Sequence, residues 1–181
     1  MARTLLWLAA GLILGAIIHL SVMLALPALA SRDVWTKISA LNANGDVVVL
    51  PAVKAGEPNP FHLDPALTYA VCQIDLRKGP GVVSGVLPQG FWSLAVYNRS
   101  GAVVYSTTNR DGIGQTLDLG IFNPAQTRML AEQQLDIAEG LLIVESQSDD
   151  VFALIRLAPP HPAMRERFEA SLKEIVCSNI E

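Results

Sequence analysis

Phe91-Trp92-Ser93-Leu94-Ala95-Val96-Tyr97, then Asn98-Arg99-Ser100-Gly101, then Ala102-Val103-Val104-Tyr105, reads as two β-strands and the turn between them. Side chains alternate across a strand, so Trp92, Leu94 and Val96 share one face while Ser93, Ala95 and Tyr97 share the other. Asn, Arg, Ser and Gly in that order suit a type I turn whose last residue takes a left-handed conformation, which glycine adopts at little cost.

The same texture extends in both directions. Short runs rich in Val, Ile, Leu and Tyr occupy residues 46–52, 68–76, 82–87, 102–108, 115–119, 141–146 and 151–158, each bounded by Gly, Pro, Asn or Asp. With the run at 91–97 these make about eight strands, separated by turn signals roughly every ten residues. Many short strands at that spacing predict a mainly β domain, an antiparallel sandwich or barrel-like fold, in preference to a parallel sheet with crossover helices.

Two helices interrupt the strands. Asn123-Pro124 supplies an N-cap and a proline at the first helical position, predicting a short helix to about Gln134. After Pro159-Pro160-His161-Pro162, a C-terminal helix sets Met164, Phe168, Leu172 and Ile175 on one face, a stripe suited to packing on the sheet.

Towards the N-terminus the character changes. From Leu5 to Leu26 there is no Asp, Glu, Lys or Arg, and as a helix this stretch reaches about 33 Å, the thickness of a bilayer's hydrocarbon core. Residues 1–30 therefore read as a transmembrane anchor or signal segment, and 31–181 as one β-rich domain. Ala28-Leu29-Ala30 before Ser31 fits a cleavage site, so a retained anchor and a secreted product cleaved after Ala30 both stand. The length of the apolar run favours the anchor. Arg3 before it and Arg32 and Lys37 after it leave orientation undecided by charge; the brevity of the N-terminal flank favours a domain outside the cytosol. Pro27 is expected to end or kink the helix. Gly11 and Gly15 form a GxxxG pair that lets two membrane helices approach closely. His19, inside the span, reads as a neutral imidazole.

The charges exclude a nucleic-acid binder. There are 13 Lys and Arg against 17 Asp and Glu, and apart from Arg77-Lys78 and Arg165/Arg167 the basic residues are scattered, with no stripe to grip phosphates.

Thr68-Tyr69-Ala70-Val71-Cys72-Gln73-Ile74-Asp75-Leu76, Gly79-Pro80, the Phe91–Tyr97 strand and Thr107-Thr108-Asn109-Arg110 together resemble the bacterial family called domain of unknown function 1254. The likeness spans residues 60–158. It implies a β-rich envelope protein, and hence an inner-membrane, single-pass protein with its domain in the periplasm. Longer members of that family continue into a companion, domain of unknown function 1214, so the resemblance implies a separately encoded companion-module protein as partner. The family's Asn-Asn-Asp run before its Thr-Tyr pair is replaced here by Asp64-Pro65-Ala66-Leu67.

Recognisable catalytic constellations are missing from the sequence. The three histidines are His19, His62 and His161, and no two have metal-ligand spacing. There is no nucleophile elbow, phosphate-binding loop or dinucleotide fingerprint, so no metal and no cofactor is expected. His62 and Asp64, two apart before Pro65, suggest extended chain and not an acid–base pair. The remaining polar cluster is Thr107-Thr108-Asn109-Arg110-Asp111-Gly112. There Arg110 suits a carboxylate or sugar acid, Asn109 supplies hydrogen bonds, and Trp92 or Tyr97 supplies an apolar platform. The competing reading is plain turn chemistry.

Cys72 and Cys177 either bridge, closing a long loop and pinning the C-terminal helix to the sheet, or stay unpaired, with Cys72 an ordinary buried thiol. A regular helix continued to Cys177 would place it off the Met164/Phe168/Leu172 face. The expectation is a membrane-anchored, non-catalytic binding or assembly module. The alternative is an envelope hydrolase or carbohydrate-active enzyme with its site near Asn109 and Arg110.

Overall fold

The computed structural model describes residues 2–29, 34–110, 115–132 and 141–180. Residues 1–33 and 34–181 form two separate units. The first is helix α1, Ala2–Leu29, whose stretch Ala2–Leu26 is long and apolar enough to cross a membrane. Its one hydroxyl in mid-span is satisfied within the helix, Ser21 Oγ donating to the Ile17 carbonyl at 2.8 Å. Of the two expectations for Pro27, an end or a kink, the end does not occur there, since the helix runs on to Leu29.

The second unit begins with a short helix α2, Val34–Ser39, and a two-residue strand β1, Val48–Val49. There follow β2 Thr68–Asp75, β3 Gly81–Val86, β4 Phe91–Asn98, β5 Val103–Thr108 and β6 Thr116–Phe122. Helix α3, Pro124–Glu132, leads to β7 Leu142–Glu145 and β8 Asp150–Ala158. Helix α4, Arg165–Lys173, and β9 Val176–Asn179 close the chain. Two sheets result, β1-β2-β8-β4-β5 and β7-β6-β3-β9. The domain is mainly β, as the strand periodicity predicts. In the first sheet β8 is the centre, antiparallel to both β2 (Thr68↔Leu157 through Asp75↔Asp150) and β4 (Phe91↔Ala158 through Asn98↔Val151).

Alternation builds the core between the sheets. Cys72 and Ile74 of β2, Trp92, Leu94 and Val96 of β4, and Ala153, Ile155 and Leu157 of β8 meet Val83, Leu117, Leu119 and Ile121 of the second sheet. Phe168, Leu172 and Ile175 enter the same cluster, with Met164 packed against it, so the predicted stripe packs on the sheets.

Local signals hold where they were strongest. Gly101 turns the β4–β5 hairpin at φ 81, and the Asn98 side chain braces the turn by accepting from the Ala102 N–H at 2.9 Å and from Ser100 Oγ at 2.7 Å. Asn123 caps α3, its Oδ1 accepting from the Ala125 and Gln126 N–H groups. Gln126 Oε1 returns a bond from the Asn123 N–H at 2.9 Å, a reciprocal capping box. The end of that helix expected at Gln134 lies outside the described residues.

Nine strands occur among the described residues, in line with the eight or so expected. One pair is parallel, β6 with β7 (Leu119↔Leu142 through Phe122↔Glu145); parallel neighbours need a crossover connection longer than a tight turn, and α3 lies on this one. Cys177 is not on a helix: α4 ends at Lys173 and Cys177 sits in β9, opposite Val83 of β3. A disulfide joins it to Cys72 with a Cα–Cα separation of 6.6 Å, linking the two sheets.

The outer face of the first sheet is also covered. Tyr69, Val71 and Phe152 are buried there with Ile38 of α2, Ala43 and Leu50, and Trp35, Phe61, Leu63, Leu67, Tyr97 and Leu154 pack against them. The β2 strand is accordingly buried on both faces.

Candidate functional site

The four residues singled out near the hairpin do not converge. Trp92 is 2 % exposed and sits in the core between the sheets, so it offers no platform. Tyr97 is on the opposite face of β4, stacked on Phe152 with ring centroids 4.9 Å apart and planes 10° from parallel. Asn109 lies at the other end of the strand, its N–H donating to the Trp92 carbonyl at 3.2 Å. Five residues of extended chain separate Trp92 from Tyr97, about 17 Å. Arg110 is exposed, and its N–H bonds the Thr108 hydroxyl at 3.3 Å in a local turn. Asp111 and Gly112 lie outside the described residues. Within the described part of the polar stretch, Thr107 and Thr108 end strand β5, the chain turns at Arg110, and the Thr107 hydroxyl and Asn109 Oδ1 are buried without a hydrogen-bond partner.

What the structure does assemble is an apolar cavity of about 260 Å3 on the outer face of the first sheet. Its floor is Val71 of β2, Phe152 and Leu154 of β8, and Tyr97 with Gly101 at the tip of the hairpin. Its walls are Val34, Lys37 and Ile38 of α2, Leu50, and the run Pro60-Phe61-His62-Leu63. The strands present Phe152 and Leu154 here because the other parity of β8, Ala153 and Ile155, faces the core.

The wall loop is built for rigidity. Asn59 closes it at both ends, Nδ2 donating to the Leu63 carbonyl and Oδ1 accepting from the Leu63 N–H, each at 2.9 Å. His62 has a left-handed φ of 52, and Asp64 Oδ1 accepts from the Ala66 N–H at 2.8 Å. The chain here turns; it is not the extended stretch expected from the proline. His62 and Asp64 thus form no acid–base pair, and Asp64 is occupied in its own turn. Lys37 Nζ donates to the Pro60 carbonyl at 2.8 Å, tying α2 to the loop. Arg165 of α4 fastens the far end through the Pro65 and Leu67 carbonyls.

A second cavity, of about 280 Å3, is polar and is lined in part by Trp35, Asn42, Asn44, Gln73, Asp75, Arg77 and Asp150. Asp75 and Asp150 stand directly opposite on β2 and β8, an arrangement that repels unless cations intervene. Arg77 intervenes, reaching Asp75 at 2.7 Å and Asp150 at 2.8 Å. Arg99 takes the other oxygen of Asp150 at 3.2 Å, and its guanidinium lies 5.8 Å from the centroid of the Trp35 ring. The Arg77 hydrogen bond holds the Asp75 carboxyl below the usual carboxylate range. Asp75, Asp150, Arg77 and Arg99 thus form one ion-pair cluster that ties β2, β8 and the β4–β5 turn together.

His161 accepts from the Ala163 N–H at 3.1 Å and caps the turn Pro162–Met164. No group of three His, Cys, Asp or Glu side chains suited to a metal occurs among the described residues. Gly11 and Gly15 face open space along α1.

No protein-family model matches the sequence, and no curated protein does. Among solved structures, the chain is similar to the VPA0106 protein from Vibrio parahaemolyticus, with a TM-score of 0.53 at 11 % identity. The likeness covers 65 % of this chain and 29 % of that one, so the chain spans less than a third of its structural neighbour. An uncharacterised protein from Burkholderia cenocepacia superposes more loosely, with a TM-score of 0.36 at 12 % identity over 61 % of this chain and 36 % of that one. The likeness to the Vibrio protein is one of the β fold.

Proposed function

We propose that this chain is a membrane-anchored, non-catalytic binding module of the bacterial envelope, a short relative of the domain of unknown function 1254 family, whose cavity takes an apolar group. The observation that carries the reading is the cavity itself: apolar side chains make up most of its lining, and no acid–base pair or nucleophile with an activating base is among them. At about 260 Å3 it is smaller than the pockets that enclose a drug-sized molecule, and it suits a side chain or a length of hydrocarbon. The disulfide supports a domain outside the cytosol, since such bridges persist in oxidising compartments. The apolar helix α1 supports attachment to the membrane.

The test uses the full chain in lipid nanodiscs with a photoactivatable medium-chain alcohol. Adducts mapping to Phe61–Leu63 and to Phe152–Leu154 are expected, and Leu154→Trp, which fills the cavity, should abolish them. Labelling confined to α1 refutes the reading.

A further inference from the structure

The cavity carries charge of one sign. Its ionisable lining residues other than Tyr97 are Lys37 and His62, and neither Asp nor Glu is among them. Lys37 has one visible bond, to the neutral Pro60 carbonyl, and no carboxylate among the described residues lies within ion-pairing distance of it. Its ammonium therefore keeps donors to offer an anion. The apolar floor is deepest at Val71 and Phe152, which are 1 % and 2 % exposed. Lys37 is only half-buried, which places the cation towards the mouth. A space of this volume holds a stretch of hydrocarbon but not a polar headgroup as well, so a headgroup stays at the mouth, beside Lys37. Val34, half exposed on the wall, follows the end of α1 by five residues in sequence.

We infer that the occupant is the acyl chain of an anionic membrane lipid, its chain in the cavity and its carboxylate or phosphate against Lys37. This rests on the reading of the cavity as an apolar binding site and adds the sign of the headgroup and the source of the chain. Hydrocarbon supplies affinity, at roughly fourfold per buried methylene. The ammonium supplies selection, favouring an anion over a neutral head of equal length by about three- to tenfold for a half-exposed charge.

The experiment places the full chain in zwitterionic nanodiscs and compares a photoactivatable alkanoate, the alcohol of equal length and the corresponding alkylammonium. Labelling of Phe61–Leu63 and Phe152–Leu154 should rank alkanoate first and alkylammonium last. Lys37→Gln should bring the alkanoate down to the alcohol, and Lys37→Arg should restore the preference, which separates loss of charge from loss of fold. Equal labelling by all three, unchanged by Lys37→Gln, overturns the anionic lipid and leaves the apolar cavity intact. Absence of cavity labelling by any of them overturns both. Cross-links from a photoreactive residue at Val34 that join two copies, with the cavity unlabelled, assign it to a second copy and also overturn the proposal.

Discussion

Replacing both cysteines by alanine tests how the C-terminal strand is held. The bridge joins residues separated by 105 positions, and the chain-entropy relation for a loop of that size gives about 4.8 kcal/mol at 25 °C, lost from the unfolded ensemble's side. Alanine is the right replacement, because Cys72 and Cys177 are 0 % and 4 % exposed and serine would bury two hydroxyls. The native contacts of β9 survive the change: it keeps its ladder to β3, and Asn179 Nδ2 still donates to the Asp75 and Gly79 carbonyls at 3.0 and 2.7 Å. In a domain of this size each kcal/mol moves the melting temperature by about 2 to 4 °C. The double variant should therefore melt roughly 10 to 19 °C lower. Calorimetry of the full chain in nanodiscs, oxidised and reduced, measures it, and the reduced wild type should match the variant. A difference under about 3 °C, or two reactive thiols in the oxidised chain after denaturation, would refute the reasoning.

Other substitutions separate the residues that hold the fold from those that do not. Trp92→Ala should cost about 3 to 5 kcal/mol, as for a large core aromatic, while Arg110→Ala should stay within about 0.5 kcal/mol; chemical denaturation reads both. Gly101→Ala meets no neighbouring atom, so its cost, about 1 kcal/mol, is that of the left-handed backbone alone, and Gly101→Asn should cost less. Because the folded Asp75 carboxyl titrates below its unfolded value, its contribution is present above about pH 4 and is lost as pH falls through the folded value. Asp75→Asn, which can keep the cap to the Arg77 N–H, should flatten the acid limb of stability by at most about 1 kcal/mol, an exposed pair being worth no more. N-terminal sequencing of the membrane form should return an intact terminus; a terminus at Ser31 would contradict the retained anchor.

How much of this was legible can be judged from particular residues. The β4–β5 turn, the Asn123 cap and the α4 stripe were readable because each is set by residues within one turn or one hairpin of each other. The cavity does have a signal in the sequence: Asp150–Ala158 is apolar at both parities, with Phe152 and Leu154 as well as Ala153 and Ile155, and a strand apolar on both faces must be covered on both. Helix α2 and strand β9 are too short for periodicity to show. Trp92 and Tyr97 fall on opposite faces of β4 by simple alternation, but which of the two faces is the sealed core is decided only by the second sheet.

The sequence by itself determined a β-rich domain behind an apolar helix, because alternation, turn residues and a charge-free run act over a few neighbouring positions. Only the tertiary structure decided that β8 sits between β2 and β4, that β6 and β7 run parallel, and that Cys72 meets Cys177. Those partners are brought together by burial and backbone pairing across tens of residues, where many alternative pairings satisfy the same local pattern. The open cavity on one face of β8 and the sealed core on the other follow from what α2 and the Pro60–Leu63 loop cover, a fact no single strand contains.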